Sequence, residues 1–412
     1  MPVYRNTCYN SMEESYFRAY FNFISTVACD KAKELVEKEK DKAPIPLQSA
    51  LVLLAQCEKS YYSLAFLEQK WFGRRDPLKN TYLTLQTELQ TVLKQMDKTD
   101  KSVTVSTCEG LVNFCSCRVD CIELYETALR NIPNKDLEKL ISDLIQKHES
   151  KLQYHTLKSI LDSFMSEFET FRQLVGASLL IAEWNFFTSL IELHKIHQTL
   201  AVWQPLLSKD QHHTLRPGLF GFGERHSTSP VSALYQWMAK YFQSLVSKFS
   251  FYFYYSLNFQ GQGDEMKIFL SKTSYDYVAK ALNFCKKLDS TYVLLCSIAN
   301  ENTSKLMDES LRTTHSKILE LPNASPEYMW PNLDVFLYNK SEEITFEKVV
   351  YYFDKQIDFT FYAAQCDPGI MLVIAVMGRK NEKDSYVSNF INETVLYLRP
   401  KRIFSLLRPG SK

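Results

Sequence analysis

The sequence contains little glycine and little proline, 11 and 14 residues in a chain of 412. Because these two residues punctuate turns and loops, their scarcity argues against an all-β or loop-rich protein and favours long helices. No window approaches the roughly 20 apolar residues needed to span a bilayer. The apolar run MLVIAVM, at 371–377, is far shorter and predicts a buried strand. We therefore expect a mainly helical protein without direct membrane insertion.

The charge also lacks a dominant sign, since 48 Lys and Arg residues face 47 Asp and Glu residues. Proteins that hold nucleic acid through its phosphates usually carry a basic excess, so we expect no nucleic-acid partner. The start, MPVYRNTCYN, does not resemble a signal peptide, which predicts a cytoplasmic protein. Ten cysteines are present, but the cluster Cys115, Cys117 and Cys121 lacks the paired C-x2-C spacing of zinc sites. Packed free thiols are expected there.

Residues 1–208 show the three- and four-residue apolar spacing of successive amphipathic helices. The predicted helices cover 13–42, 47–72, 77–96, 107–131, 134–148 and 157–207, the last with a break near Gly176. Long helices with short joints bury their apolar stripes only against one another. This half of the chain is therefore predicted to be an antiparallel helical bundle.

Residues 209–230 crowd glycine, proline and histidine together and predict a linker loop. Beyond it, residues 231–412 predict an α+β domain that begins with a long aromatic-rich helix. Further helices are expected at 266–288, 346–356 and 384–398, strands at 291–298, 333–338, 359–364 and 370–377, and irregular structure at 300–326. The fold class is thus mainly α with an α+β C-terminal part. That part is a small sandwich, comparable by analogy with roadblock, longin and profilin-like folds.

The stretch KFSFYFYYSLNFQ, at 248–260, holds seven aromatic residues in thirteen positions. A membrane anchor, a stacking platform for nucleic acid and a packed core are the three interpretations. The run continues the helical spacing of Leu234, Met238, Phe242 and Leu245, and it is too short to cross a membrane. Stacking platforms usually interleave aromatic and basic residues, and only Lys248 is near. The pattern favours a buried junction where the helical half meets the residues that follow.

No local motif for catalysis or cofactor binding appears in the sequence. His194 and His197 lie three apart on one predicted helix and, with Glu183, suggest an alternative, a helical metal-dependent enzyme. The H-E-x-x-H pattern of zinc proteases is absent. The favoured interpretation is a non-enzymatic protein without catalytic, cofactor-binding or metal-binding residues. Tyr328, Met329 and Trp330 are candidates for an exposed partner-binding patch.

Several colinear stretches resemble one family, the small KICSTOR complex subunits long known only as an open reading frame protein. The most specific stretches are SKFSFYF, MWPN and the ending RPGSK; others are DKAKELVEKEK and EKSYYSLAFLEQK. The resemblance spans nearly the whole chain.

This resemblance implies a scaffold or adaptor without catalytic residues. KICSTOR brings the GATOR complex to the lysosomal surface and so restrains mTOR signalling when amino acids and glucose are scarce. The implied partners are kaptin, an FG-GAP repeat subunit, a large scaffold subunit and, through them, GATOR. The implied location is peripheral, on the lysosomal membrane by way of these partners.

Overall fold

The computed structural model describes residues 3–68, 78–96, 102–130, 134–208, 232–260, 268, 270–298 and 314–409. The chain forms two compact units. The first unit comprises Met1–Val175, Lys195–Ala239 and Phe404–Lys412, and the second comprises Gly176–His194 and Lys240–Ile403. The predicted linker at 209–230 lies outside the described residues, so the domain boundaries drawn around it stay a prediction.

The N-terminal part of the chain is helical. Its helices are α1 (Val3–Ser25), α2 (Cys29–Lys38), α3 (Ile45–Tyr62), α4 (Leu78–Gln95), α5 (Val103–Arg130), α6 (Lys135–Glu149), α7 (Lys158–Ala182), α8 (Phe186–Ser208), α9 (Ala233–Tyr252) and α10 (Tyr254–Gln260). Successive helices from α1 to α6 pack against one another. Helix α6 is an example. Asn134 caps its first turn by accepting a hydrogen bond from the Leu137 amide at 2.9 Å, which fixes where the helix begins. Its buried residues recur every three or four positions, so one face of the helix packs against its neighbours.

Two helices end where the sequence does not signal an end. The predicted helix 13–42 is two helices, and the break predicted near Gly176 falls instead at 183–185. Val27 and Trp184 adopt left-handed backbone conformations, with φ of 62° at each. In both cases the following amide reaches back five residues: Ala28 to the Phe23 carbonyl at 2.8 Å, and Asn185 to the Leu180 carbonyl at 2.9 Å. Glycine normally marks this type of helix end, so its absence hid both ends from sequence analysis.

The rest of the second unit is an α/β sandwich. Its elements are α11 (Tyr277–Lys287), β1 (Thr291–Ile298), β2 (His315–Leu321), α12 (Met329–Asn339), β3 (Val350–Asp354), β4 (Phe359–Asp367), β5 (Ile370–Met377) and α13 (Ser385–Leu398). The short α14 (Pro400–Ser405) follows, and its last residues belong to the first unit. The five strands form an antiparallel sheet in the order β2-β1-β5-β4-β3. The expected class, mainly α with a C-terminal α/β part, is confirmed.

Both faces of the central strands are buried, which is why β5 is apolar at every position and β4 at most positions. Alternate residues such as Phe361 and Val373 join the buried face of α12 in one core cluster. The residues between them point to the opposite face, and α11 and α13 pack on the central strands. The helices therefore sandwich the sheet.

Two elements of this unit are the reverse of those predicted. The expected strand at 333–338 belongs to helix α12, and the expected helix at 346–356 contains strand β3. Short apolar runs are ambiguous, and tertiary packing decides: Met329, Leu333 and Phe336 bury one helical face on the sheet, whereas the β-branched and aromatic 350–353 pair with β4. The predicted irregular segment 300–326 also contains strand β2.

Candidate interaction surfaces

The predicted patch at Tyr328, Met329 and Trp330 lies at the start of α12 and is split by the helix geometry. Tyr328 is 54% exposed, and Trp330 is half-buried against the core cluster, with the Lys317 ammonium 5.3 Å from its ring centroid. Met329 is fully buried, because it shares the face that packs on the sheet. Tyr328 and the outer part of Trp330 are therefore accessible at the surface, whereas the Met329 side chain is not.

Helix α12 also carries apolar residues on its outer face. Tyr328, Pro331, Val335 and Tyr338 follow one another at steps of three and four residues, and all are exposed. We call these four residues the outer stripe. A groove of about 640 Å³ runs between α12 and the edge strand β3, lined among others by Val335, Phe336 and Tyr352. The sheet-facing side of α12 is thus not its only apolar side.

A second exposed apolar surface lies at the start of α8. Phe187, Leu190 and Ile191 occupy one face of the first turns and are 70, 41 and 54% exposed. We call these three residues the α8 patch. The opposite face is packed, since Phe186 stacks on Phe249 with ring centroids 5.5 Å apart. The patch gives no signal in the sequence, because apolar residues on both sides of a helix are also typical of a fully buried helix.

The aromatic run at 248–260 is mostly packing material. Phe249, Phe251, Tyr252 and Phe253 are buried, and their rings contact Trp184, Phe186 and Tyr277 within the second unit. The expected burial is confirmed for these four rings. Tyr255 and Phe259, in the separate helix α10, are 50 and 93% exposed. A continuous stacking platform for nucleic acid would need the buried rings to face solvent.

Lys248, the basic residue of this run, is buried and pairs with a carboxylate inside the fold. Its ammonium lies 2.8 and 2.6 Å from the two carboxylate oxygens of Asp367, and both side chains are 4% exposed. The Tyr252 hydroxyl donates to the same carboxylate at 2.5 Å. Asp367 ends strand β4. The ion pair therefore fixes the β4–β5 hairpin to helix α9.

A buried ionic network joins α3, α5 and α7 in the first unit. Arg118 donates to both oxygens of Glu58, at 3.0 and 2.8 Å, and to Glu167 at 3.2 Å. All three side chains are at most 2% exposed. The guanidinium also lies 4.0 Å from the Tyr61 ring centroid. Such a bidentate, stacked geometry suits arginine and no other residue.

Tyrosine hydroxyls complete this network. Tyr61 and Tyr125 donate to Glu167 at 2.6 and 3.0 Å, and Tyr82 donates to Glu58 at 2.7 Å. Burial raises the pKa of Glu167, although Arg118 and these hydroxyls oppose the rise. Every polar group here is used within the fold, so the network stabilises the helical unit and has no chemistry to offer a ligand.

His148, at the end of α6, is a second buried titratable group. Its Nε2 lies 2.6 Å from an Asp120 oxygen, which also accepts from Lys147, while its Nδ1 has no hydrogen-bond partner. Burial lowers the pKa of His148, although Asp120 draws it upward. Lys147 and Lys151 add to the lowering. The imidazole is thus held neutral against the ring of Phe164.

This burial predicts a pH-dependent stability. The unfolded chain takes up a proton on histidine near its ordinary pKa of 6.5, whereas the folded protein resists protonation of His148. Between those two pKa values the unfolded state binds more protons, so stability should fall as the pH falls below about 6.5. His148→Phe should flatten this dependence in urea unfolding series at several pH values. The exposed His155→Phe serves as control; equal slopes for wild type and His148→Phe would contradict the assignment.

The residues considered for metal binding do not form a metal site. Glu183 follows the end of α7, and His194 and His197 are exposed on α8. Within the described ranges, no group of three or more His, Cys, Asp or Glu side chains could hold a metal ion. Cys115, Cys117 and Cys121 are buried, with 3.9 Å between the Cys117 and Cys121 sulfurs. Burial raises the pKa of Cys115 and of Cys121, as expected for packed thiols.

Among the helices of the described ranges, none has the length and hydropathy of a membrane span.

Comparison with known proteins gives a consistent result over nearly the whole chain. A family described as "KICSTOR complex C12orf66 like" matches residues 8–412. KICSTOR subunit 2 of Xenopus laevis is 29% identical over 444 residues, which cover 97% of this chain and 97% of that protein. KICSTOR subunit 2 of Danio rerio is 28% identical over 437 residues, covering 97 and 96%. The chain belongs to the KICSTOR complex C12orf66-like family.

Proposed function

We propose that this chain is a non-catalytic scaffold subunit of a KICSTOR complex. The observation that carries the proposal is the family match over residues 8–412, which leaves almost no part of the chain outside the family. In this role the chain helps to recruit the GATOR complex to the lysosomal surface and so negatively regulates amino-acid and glucose sensing by mTOR. Kaptin, the FG-GAP repeat subunit and the large scaffold subunit are its direct or indirect partners.

The α8 patch is the surface we assign to another subunit. Its three apolar side chains lie side by side on one helix, and Phe187 is 70% exposed. Exposed clusters of this kind usually mark a binding surface, because leaving them in water is unfavourable. Large aromatic and aliphatic anchors also supply most of the binding energy of protein interfaces. Tyr328 and Trp330 are proposed as a second, smaller contact.

Affinity purification of the tagged full chain from cells, followed by mass spectrometry, tests both points. The wild-type chain should recover the large scaffold subunit. Phe187→Glu with Ile191→Glu should reduce that recovery at least tenfold, since a charge at a buried anchor costs several kcal/mol. Leu396→Glu, a substitution at a 51% exposed leucine on α13, is the matched control and should bind normally.

Two outcomes would contradict these assignments separately. Absence of the scaffold subunit from the wild-type eluate would overturn complex membership. Normal recovery by the double α8 variant would overturn only the docking role of the α8 patch. Lysosomal association should vanish in cells without the scaffold subunit, because the location is proposed to come from partners.

A further inference from the structure

A cavity of about 360 Å³ lies within the second unit, between strand β2 and the turn at which α9 passes into α10. Four aromatic residues line it, namely Trp184, Tyr252, Phe253 and Tyr255. Cavities with mainly apolar walls and a few polar groups are the usual binding sites of proteins for compact ligand groups. The walls of this cavity therefore suit a flat apolar ring.

Trp184 reaches this cavity from a backbone conformation that is unusual for a large side chain. Its φ of 62° lies in the left-handed region, where glycine would end helix α7 with less strain. The indole of Trp184 packs on Phe253, with ring centroids 4.5 Å apart, and lies 5.9 Å from the ring of Tyr252. Strained residues of this kind cluster at functional sites, so a tryptophan here points to a role for its ring.

The polar part of the cavity lacks one hydrogen-bond donor. Glu320 lines the cavity and is only 9% exposed. Its Oε2 lies 3.3 Å from the ammonium of Lys317, but among the described residues its Oε1 has no hydrogen-bond partner. A buried acceptor without a partner is rare, because it has given up water for nothing. The last torsion of a glutamate is soft, so Oε1 can turn toward a donor that enters the cavity.

The charges select a neutral donor. Lys317 already balances Glu320, so a second cation would meet the ammonium and an anion would meet the carboxylate. The two wall tyrosines do not supply the donor, since the Tyr252 hydroxyl bonds to Asp367 and the Tyr255 hydroxyl to the backbone of Glu320. Among aromatic side chains, indole is neutral and carries a single N–H that donates and never accepts. It matches both the walls and the missing donor.

We propose that this cavity is a docking site for the indole ring of a tryptophan on a partner protein. The ring packs among the aromatic walls, and its N–H donates to Oε1 of Glu320. Tryptophan is among the side chains that most often anchor protein interfaces, in pockets from which water is excluded. The proposal depends neither on complex membership nor on the docking role of the α8 patch.

Ligand-observed NMR titrations of the purified full chain test the chemistry of the cavity. Indole should bind at least about fivefold more tightly than benzofuran, which has the same shape but no N–H donor. Equal affinities would overturn the hydrogen bond to Glu320, and absence of binding by both would overturn the site. N-acetyl-L-tryptophanamide, which resembles a tryptophan within a chain, should bind at least as tightly as free L-tryptophan. The reverse order would overturn docking of a partner protein in favour of a free amino acid.

A pair of glycine variants tests the location. Trp184→Gly removes one wall, while glycine suits the left-handed backbone at that position. It should weaken the binding of N-acetyl-L-tryptophanamide at least tenfold. Val27→Gly is the matched control, because Val27 has the same φ of 62° at a helix end in the first unit, and it should bind normally. Unchanged binding by Trp184→Gly would overturn the proposal. If that variant failed to fold, the comparison of indole with benzofuran on the wild-type chain would still decide.

Discussion

Replacing Arg118 by leucine is expected to lower the free energy of unfolding by about 3–5 kcal/mol. The substitution leaves the carboxylates of Glu58 and Glu167 buried without their positive partner, and both are fully buried. Removing one member of a buried ion pair costs far more than the pair contributes, because the remaining charge cannot regain water. Thermal and urea unfolding of the purified chain would measure the loss.

A matched control compares the loss of this buried ion pair with the loss of an exposed one. Lys59→Ala removes an ion pair with Asp30 whose side chains are 58 and 70% exposed, and it should cost less than about 1 kcal/mol. If Arg118→Leu were as mild as Lys59→Ala, the network would be open to solvent and its assignment to the core would be wrong. Glu58→Gln and Glu167→Gln in the Arg118→Leu background should recover part of the loss, since they remove the unpaired charges.

Asp367→Asn is expected to have the second largest effect, again about 3–5 kcal/mol. The amide keeps the shape of the carboxylate but leaves the Lys248 ammonium, 4% exposed, without a counter-charge. Adding Lys248→Met should restore more than half of the lost free energy of unfolding, because an apolar side chain then replaces the unpaired ammonium among aromatic neighbours. Recovery of this kind would show that the cost of Asp367→Asn is electrostatic.

The surface pair Lys280 and Glu393 provides the comparison, with side chains 45 and 53% exposed and a separation of 2.9 Å. Glu393→Gln should change stability by less than about 1 kcal/mol. An Asp367→Asn effect of the same size, or a double variant no more stable than the single one, would contradict the proposed coupling of α9 to the β4–β5 hairpin.

The buried charges show what local spacing in the sequence can predict and what it cannot. Glu58 falls on the apolar stripe of α3, at helical spacing from buried Leu51, Leu54 and Tyr61. A charge in such a position signals a buried ionic group. Its partner Arg118 lies 60 residues away, and Glu167 a further 49. Local periodicity carries no information about which distant residue completes the pair.

The exposure of the candidate surfaces depends on tertiary structure for a related reason. The sequence predicts one patch at Tyr328, Met329 and Trp330, but the split between exposed Tyr328 and buried Met329 depends on the helical phase of α12. The phase could not be read from the sequence, because the predicted element at 333–338 was a strand and the structure has a helix there. The α8 patch gave no local signal at all, because an apolar residue looks the same in sequence whether a neighbour covers it or not.

By itself the sequence determined the periodic features: a helical N-terminal part, the strands at 291–298, 359–364 and 370–377, the burial of the rings from Phe249 to Phe253, and the family resemblance. The tertiary structure alone decided where α1 and α7 end without glycine, whether 333–338 is helix or strand, and which apolar faces remain uncovered. The physical reason is the range of the interactions. Backbone propensity and spacing act within a few residues, whereas burial and ion pairing depend on residues that only folding brings together.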